Sequence, residues 1–393
     1  MSNPITKSSK KTIVVITSDS SVRSYIQVIL FQGIAQYVNE HNNFIVRQIP
    51  YQSINADTSF ANCDGMLLFA GIHIGALTER LKATGLPIID LSGEYEDDEQ
   101  IISADTDGYK MGALAAERLL RRGFTNFGIY GCSGRRFNGY LSDGFNATLE
   151  KSGYDSSIFL RPGTVLSTAE KKSHHKKLQK WVKQLPRHTA VFCHADTMAR
   201  DLVNICLKSG RDVPNDIAIM GTGNFIFDCS LSEITISTVD ENLQGLGYAA
   251  MRIMAHLIDH PVKPRKRPVF RVPPIGVIER ESTCVYPVNP PWLAKLLQML
   301  DDNLNRNFTV PELAKISGVS QVTVQNAFKK AFGMSASKYM TSIKMREAKR
   351  LIGMKKFSLK EIASMLKFSS PTYFGYAYEA FYGHPPSADR RSS

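Results

Sequence analysis

Short apolar runs alternate with longer amphipathic segments from Thr12 to about Arg280, a pattern typical of repeated strand–helix units around a parallel sheet. Strands are predicted at residues 13–16, 44–49, 65–69, 87–90, 127–130, 190–193 and 217–220. Helices are predicted at residues 24–39, 74–84, 108–122, 139–152, 170–184, 198–209 and 243–260. Gly123, Gly153 and Gly210 each follow a predicted helix, where a left-handed residue is favoured.

The alternation stops in the last third of the chain. Residues 261–268 (PVKPRKRP) are expected to break regular structure, residues 269–278 to form a returning strand, and residues 286–291 (YPVNPP) to form a stiff linker. After Trp292 the pattern predicts helices only. We therefore expect an α/β domain at residues 12–283, a linker at 284–291 and an all-α domain at 292–390.

Positive charge is concentrated in the predicted all-α domain. The net charge is +12, and residues 287–393 hold 16 Lys and Arg against 7 Asp and Glu. A basic domain beside a nearly neutral one indicates a polyanionic partner, because bound phosphates release counterions. A well-solvated basic surface is the alternative that charge alone leaves open. The lysine-rich run at 171–183 instead predicts an amphipathic helix with solvated lysines, and its His174–His175 pair is not taken as a metal site.

A short helix, a glycine and a second helix are predicted within residues 310–332, VPELAKISGVSQVTVQNAFKKAF. Gly318 permits the tight turn, and Ser320 can cap the second helix. Apolar residues at 324, 328 and 332 recur at i, i+4 and i+8 and are expected to face inward. The outer face of the second helix, where a recognition helix meets base edges and phosphates, then carries Gln321, Val322, Gln325, Asn326 and Lys329.

The arrangement recurs about fifty residues later in SLKEIASMLKFSSPTYFGYAYEAFYG, residues 358–383. The first helix is predicted at 359–366, Ser369 or Ser370 caps the second, and residues 374, 378 and 382 form its inner stripe. Its outward candidates are Ser370, Thr372 and Tyr376. The helix predicted between the units, 335–354, would span roughly 28 Å, close to the ~34 Å repeat of DNA. One unit alone is as consistent with a plain helical hairpin; two favour DNA binding.

Residues 293–390 resemble the DNA-binding domain of the AraC/XylS family in LAKISGVS, FKKAFG, REAKRLI, EIASMLKFSSPTYF and YGHPP. The resemblance implies two helix-turn-helix units that bind double-stranded operator DNA. Three positions depart from the family pattern. Lys367 stands where a turn glycine is usual, and Asn326 and Tyr376 stand where outward arginines are common. The first departure predicts a strained or altered second turn, and the other two indicate that the base sequence recognised by relatives does not carry over to this chain.

Residues 12–283 resemble, more loosely, the two-lobed periplasmic-binding-protein-like sensor (type I) of LacI/GalR regulators, in which a ligand lies between the lobes. The motifs SADTDGY, CHADTMA and MGTGNF carry the resemblance, with the closing VPPIGVIEREST. The ligand-binding residues it implies are Asp105, Asp196, Asn224, Gln27, Tyr25 and Phe137. Asp105 and Asp196 are equally interpretable as helix caps. Leu141 and Gly223 replace a usual arginine and a frequent aspartate, which puts sugar binding in doubt.

Other classes of protein have less support. Phosphate-loop, nucleophile-elbow, zinc-protease and dinucleotide motifs are absent from the sequence, so we predict no enzyme, no cofactor and no metal. A transport receptor would need an export signal, and an architectural DNA-binding protein would not need so large a sensor. The six cysteines lie at least 13 residues apart and are expected to be buried thiols. No apolar stretch suits a signal peptide or a membrane span, which favours a cytoplasmic location.

Together these features predict a sequence-specific transcriptional regulator, more specifically an activator, controlled by a small polar ligand such as xylose or a related polyol. Expected partners are operator DNA, the small-molecule effector and a second copy of the chain in a homodimer, with RNA polymerase as a further candidate. The alternative is a constitutive DNA-binding protein whose sensor has lost sugar binding or binds a non-sugar ligand.

Overall fold

The structure is a computed structural model that describes residues 10–18, 21–70, 74–163, 168–260, 269–353 and 356–392. Within them the strands are β1 Lys11–Thr17, β2 Phe44–Pro50, β3 Gly65–Phe69, β4 Ile88–Asp90, β5 Ile102–Thr106, β6 Asn126–Cys132, β7 Ser156–Arg161, β8 Thr189–Cys193, β9 Ile217–Thr222, β10 Ser237–Asp240, β11 Val269–Val272 and β12 Gly276–Ile278. The helices are α1 Ser21–His41, α2 Ala76–Lys82, α3 Gly108–Arg122, α4 Arg136–Glu150, α5 Thr168–Gln184, α6 Asp196–Lys208, α7 Ile226–Ser230, α8 Leu243–Asp259, α9 Pro291–Asp302, α10 Val310–Ser317, α11 Gln321–Phe332, α12 Ala336–Gly353, α13 Leu359–Met365, α14 Pro371–Tyr382 and α15 Pro386–Ser392.

Contacts divide the chain into two units. The first unit holds the described residues up to Asp107, together with Arg135–Phe137 and Asn242–Pro273. The second holds Gly108–Gly134, Asn138–Glu241 and the described residues from Pro274 onward. The second unit therefore contains part of the α/β domain and the whole helical region.

The first unit is built on a parallel sheet with strand order β11-β5-β4-β3-β1-β2. The apolar run of β1 is buried at every position from Thr12 to Thr17, as is typical of a parallel strand covered on both faces. Helices α1 and α8 approach each other closely, since a Cβ on Gly33 would lie 1.8 Å from the carbonyl oxygen of Gln244. This sheet places Asp105 at the carboxyl end of β5.

The second unit has a sheet of order β12-β10-β9-β8-β6-β7, in which β12 alone of the described pairs is antiparallel. Its core includes Leu178, Val191, Leu202 and Ile219. The lysine-rich helix α5 buries Leu178 and Val182 and half-buries Trp181 as predicted, with its lysines exposed, and Leu185 is buried directly after it.

The helical region has two apolar cores that α12 joins. The first core packs α9, α10 and α11 around Leu297, Leu313 and Phe328. The second packs α13 and α14 around Ile362 and Phe374. Helix α12 contributes Tyr339 and Ile343 to the first core and Ala348, Leu351 and Ile352 to the second. One apolar stripe therefore fixes both helix-turn-helix units to the same helix.

Several sequence predictions need correction. The single returning strand predicted at 269–278 is wrong, because the chain there forms β11 in one sheet and β12 in the other. Strands β5, β7 and β10 were not predicted, and β7 is an edge strand whose Ile158 and Leu160 are exposed. The cysteines are not uniformly buried, since Cys284 is exposed. The break predicted at 261–268 and residue Met354 of the long helix lie outside the described residues.

No helix in the described ranges has the length and apolar character needed to cross a membrane.

Candidate DNA-binding surface and candidate ligand site

The first helix-turn-helix unit has the local geometry that its sequence predicts. Gly318 adopts a φ of 70°, and the Ser320 hydroxyl accepts a hydrogen bond from the Thr323 amide at 3.1 Å. Val324 and Phe328 are fully buried. The structure adds a capping box in which the Glu312 carboxylate accepts from the Thr309 amide at 2.7 Å, a start that the Thr-x-x-Glu spacing could have predicted.

The outer face of α11 is exposed, and its side chains are polar apart from one apolar residue, Val322. Gln321, Asn326 and Lys329 are exposed, and Val322 is 68% exposed. An exposed valine at the start of a recognition helix suits contact with a thymine methyl group. Val322, Asn326 and Lys329 form one continuous surface because they lie three to four residues apart on the helix, and Gln321 adjoins Val322 in the first turn.

Gln325 differs from the other residues predicted for this face. Its side chain is half-buried, and its Oε1 accepts a hydrogen bond from the Ala336 amide at 3.2 Å. The carbonyl end of Gln325 thus caps the first turn of α12, where an amide has no partner within the helix. The outward orientation expected for the whole amide is therefore wrong, and paired hydrogen bonds from it to adenine are not available in this conformation.

The second unit repeats the arrangement, with a Ser358–Glu361 capping box before α13. Ser370 rather than Ser369 caps α14, since its hydroxyl accepts from the Tyr373 amide at 3.0 Å. Phe374 and Tyr378 are buried as predicted. The outer surface of α14 therefore begins beyond its capping serine.

That outer surface is aromatic. Thr372 is exposed, Tyr376 is 69% exposed, and Tyr373, which was not predicted, is 57% exposed. Tyr373 directly precedes the inward-facing Phe374, and this position on the helix could have indicated that Tyr373 is exposed.

Lys367 forms the turn of the second unit in a left-handed conformation, with a φ of 55°. Its carbonyl accepts a hydrogen bond from the Asn307 side chain at 2.9 Å. The turn is therefore retained without glycine, at the energetic cost of placing a Cβ in this region. Of the two outcomes predicted from the sequence, a strained turn or an altered turn, the left-handed backbone of Lys367 is the strained one.

In the first unit, Asp105 lies in a cluster of charged side chains at the end of β5. It is only 7% exposed, and its Oδ1 accepts from the Thr106 amide at 2.7 Å, so it does not cap α3. Arg271 is its register partner on β11 and pairs with Glu96 at 2.5 Å. Burial raises the pKa of Asp105 to about 8, although the Thr106 amide and Arg271 lower it. The cluster offers hydrogen-bond acceptors and guanidinium donors together.

Three other predicted ligand residues, Gln27, Phe137 and Tyr25, belong to the first unit. The Gln27 amide donates to the Ser18 carbonyl at 2.7 Å and accepts from Gln48 at 3.2 Å. Phe137 is half-buried on α4. The side chain of Tyr25 lies outside the described part of the structure. Glu96 and Arg271 were missed by the sequence analysis, because neither belongs to a motif and only the fold brings them to Asp105.

Asp196 is fully buried in the second unit, with both carboxylate oxygens bonded. It accepts from the Phe225 amide at 2.8 Å and from the Thr238 hydroxyl at 2.6 Å. Helix α6 begins at Asp196 itself, so the capping role considered from sequence is wrong. Burial raises the pKa of Asp196 to about 6. The observed contacts join the loop after β9 to β10.

Asn224, also in the second unit, has a left-handed φ of 60°. Its amide nitrogen donates to Asp240 at 2.9 Å, and its carbonyl oxygen accepts from Arg280 at 3.0 Å. Both ends of the side chain are thus engaged with protein groups. A ligand would have to compete with Asp240 or Arg280 for this amide.

Comparison with known proteins gives each part of the chain a counterpart. Residues 116–283 match the family model described as a periplasmic binding protein-like domain, and residues 313–392 match that of a helix-turn-helix domain. The chain joins a periplasmic-binding-protein-like sensor domain to an AraC-type helix-turn-helix domain. It is thus organised as a transcriptional regulator.

Individual proteins are similar to all or part of the chain. The xylose operon regulatory protein of Escherichia coli K12 is 24% identical over 322 residues, which are 80% of this chain and 81% of that protein. The solved xylose-binding transcription activator xylR aligns over 97% of this chain and 98% of its own, with a TM-score of 0.59 and 19% identity. A LacI family regulator from Enterococcus faecium with bound ribose covers 70% of this chain and 98% of its own, with a TM-score of 0.55 and 20% identity.

Within the second unit, the sensor domain contacts the helix-turn-helix domain through buried charges. Arg122 on α3 donates to Glu279 at 2.8 Å and lies 3.4 Å from Asp301 on α9. Tyr286 donates to Asp301, and the Arg122 guanidinium lies 4.3 Å from the centroid of the Tyr286 ring. Burial raises the pKa of Glu279, but the charges of Arg118 and Arg122 outweigh it and lower the pKa to about 2.

Tyr286 falls in the predicted linker, yet it is 5% exposed and belongs to the first core of the helix-turn-helix domain. The boundaries 12–283, 284–291 and 292–390 stay predictions. The packing of Tyr286 nevertheless indicates that this part of the segment is anchored to both domains.

Proposed function

We propose that the protein is a sequence-specific DNA-binding activator whose affinity for its operator is set by a small polar ligand of the sensor domain. The observation that carries the proposal is the pair of helix-turn-helix units on α12, each with a buried inner stripe and an exposed outer face. Helix α12 has 18 residues and so spans about 27 Å at ~1.5 Å per residue. This length suits two recognition helices that enter successive major-groove turns.

The proposed base contacts come from Gln321, Val322 and Asn326 in the first unit and from Thr372 and Tyr376 in the second. Asn326 can form paired hydrogen bonds with adenine, while Val322 can contact a thymine methyl. Lys329 lies farther along α11 and is assigned to a phosphate. Ser370 is assigned to the phosphate at the start of α14, since its hydroxyl is already engaged as the cap.

The proposed ligand is a sugar or polyol. Two of the similar proteins are named for xylose, and a similar LacI family regulator carries ribose. The cluster of Asp105, Glu96 and Arg271 supplies the carboxyl groups and the guanidinium that bind hydroxyl groups. Asp196 and Asn224 remain proposed ligand residues only if they exchange their present protein partners.

A second candidate function is favoured by Leu141. Leu141 stands where LacI/GalR sensors usually have an arginine, and it is fully buried on α4. The sensor therefore lacks the guanidinium that this position would otherwise offer to a ligand. Gly223 likewise provides no side chain where an aspartate is frequent. A sensor that binds a non-sugar ligand, or none, would leave a constitutive DNA-binding protein.

The stiff linker predicted at residues 286–291 would couple the sensor to the helix-turn-helix domain through the chain itself. The buried contacts of Arg122, Glu279, Asp301 and Tyr286 support transmission through a packed interface instead. We assign the protein to a homodimer on paired half-sites, because joining two sites raises the affinity of each complex. Contact with RNA polymerase follows if the regulator is an activator.

The test uses the full chain. A thermal-shift screen of pentoses, hexoses and polyols identifies a ligand, since binding to the folded state raises the melting temperature. Operator DNA is then selected from random sequence, and binding is titrated against salt with and without the ligand. The proposal expects salt-sensitive, sequence-dependent binding that the ligand changes. No salt-sensitive affinity for any DNA would overturn it, and ligand-independent specific binding would support the second candidate.

A further inference from the structure

A cleft of about 330 Å³ lies within the helix-turn-helix domain, between its two units. Its walls come from the loop before α10, from α12, and from the turn and first residues of α14. Among the residues that line it are two lysines, Lys344 and Lys367, and the hydroxyl residues Ser337, Thr341 and Ser369. No carboxylate belongs to this lining set. Arg306 also reaches the cleft, but Glu312 neutralises it at 3.2 Å.

Lys344 is buried, with 8% of its surface exposed. Its ammonium donates to the Leu366 carbonyl at 2.9 Å and to the side-chain oxygen of Asn307. Both acceptors are neutral, and burial lowers the pKa of Lys344 without an opposing acidic group among the described residues. An ammonium withdrawn from water without a counterion is costly, and an anion beside it would offset that cost.

The neighbours of Lys344 provide further contacts for an anion. Ser337, Thr341 and Lys344 lie at i, i+4 and i+7, so they form one column along the face of α12 that lines the cleft. The Thr341 hydroxyl already donates to the Ser337 carbonyl at 3.2 Å, which leaves Ser337 as the hydroxyl donor in this column. Lys367 is exposed on the turn that forms another wall.

We infer that this cleft binds a phosphate group, with Lys344 and Lys367 as its cationic contacts and Ser337 as a hydrogen-bond donor. A phosphate accepts several hydrogen bonds at once and interacts well with lysine as a point charge. The first possible source of the phosphate is the DNA backbone between two successive major-groove segments. This version of the inference rests on the proposed function. The second possible source is a free phosphorylated compound, which needs no DNA.

The first measurement is the salt dependence of DNA binding by the full chain. Each lost phosphate contact reduces the slope of log affinity against log salt by about 0.9. Lys344→Met and Lys367→Gln are each expected to reduce the slope by about 0.9. The control is Lys176→Gln on the exposed face of α5, which removes one positive charge outside the helix-turn-helix domain and should leave the slope unaltered. Lys367→Gln also protects the test against misfolding of the buried-lysine variant, because Lys367 is exposed.

The second measurement is a phosphorus-31 NMR titration of the DNA-free chain with inorganic phosphate and glycerol phosphate. If the cleft binds a DNA backbone phosphate, the two lysine variants lower the salt slope and the NMR titration shows no saturable binding. A free phosphate predicts saturable binding that Lys344→Met and Lys367→Gln abolish, with unaltered slopes. Unaltered slopes together with no saturable binding would overturn the inference. If the chain binds no DNA, the proposed function fails, and the NMR titration alone decides whether the cleft takes phosphate.

Discussion

Nη2 of Arg122 lies 2.8 Å from Oε2 of Glu279, and this ion pair joins α3 to the segment that follows β12. The Arg122 side chain is 3% exposed and that of Glu279 28% exposed, so solvent screens the pair only in part. Arg118 shares the same carboxylate. Glu279 is thus the nearer of two acids, the other being Asp301 at 3.4 Å, that compensate both cations at the boundary between the sensor and helix-turn-helix domains.

Replacing Glu279 with glutamine is therefore expected to destabilise the second unit by about 3 kcal/mol at pH 7, since it leaves two buried guanidiniums without their main counterion. The pKa of Glu279 is about 2, below its usual 4.5, so its stabilisation is complete above pH 4.5 and is lost as the pH falls through 2. Urea unfolding of both proteins should show the difference shrinking across that range.

Glu233→Gln is the matched control, because Glu233 is exposed in the same unit. It should change the unfolding free energy by less than about 0.5 kcal/mol. Equal effects of the two substitutions would show that the ion pair at Glu279 contributes nothing to the boundary.

Asn326 and Lys329 should separate base recognition from phosphate contact. Asn326→Ala is expected to cost about 1–3 kcal/mol on the selected operator and to relax the preference at one base pair. Lys329→Ala should weaken binding to all sequences and reduce the salt slope by about one. Competition binding to a library of single-base operator variants measures both effects. Unchanged binding in both variants would remove α11 from the proposed interface.

The sequence predicted these helices well because their determinants are local. Gly318, Ser320 and the stripe at Val324 and Phe328 lie within one segment, and each acts over no more than a few residues. Gln325 was misjudged because its partner is the amide of Ala336, which belongs to the next helix. Helical position alone does not determine where a long polar side chain finds its acceptor or donor.

The ligand candidates were harder to predict because their surroundings come from distant segments. Asp105 follows a recognisable motif, but its neighbours Glu96 and Arg271 are joined to it only by strand pairing of β5 with β11. Asp196 matched a motif acid, yet burial and its bonds to Phe225 and Thr238 determine its environment. Neither burial nor long-range pairing is visible in a short motif.

Lys367 gives a stability prediction of the opposite sign. A left-handed φ of 55° strains a residue with a Cβ, whereas glycine adopts it readily. Lys367→Gly is expected to raise the unfolding free energy of the helix-turn-helix domain by about 1 kcal/mol. Lys367→Ala removes the same charge but keeps the Cβ and should give no such gain. Denaturant titration compares the two, and a gain as large in the alanine variant would mean that charge rather than backbone strain is responsible.

Asp105 gives the clearest pH dependence in the sensor domain. Its pKa of about 8 lies above its usual 3.8, so the folded state keeps a proton that the unfolded chain loses. Stability from this group is complete below pH 3.8 and is lost as the pH rises through 8, at about 1.4 kcal/mol per pH unit between them. Asp105→Asn should therefore gain stability over the parent by roughly 2–3 kcal/mol between pH 5 and pH 7. Unfolding curves at both pH values test this, with the exposed Asp57→Asn as control. A constant difference between Asp105→Asn and the parent would mean that the carboxyl group is ionised in the folded protein at pH 5, and that Arg271 rather than burial determines its charge.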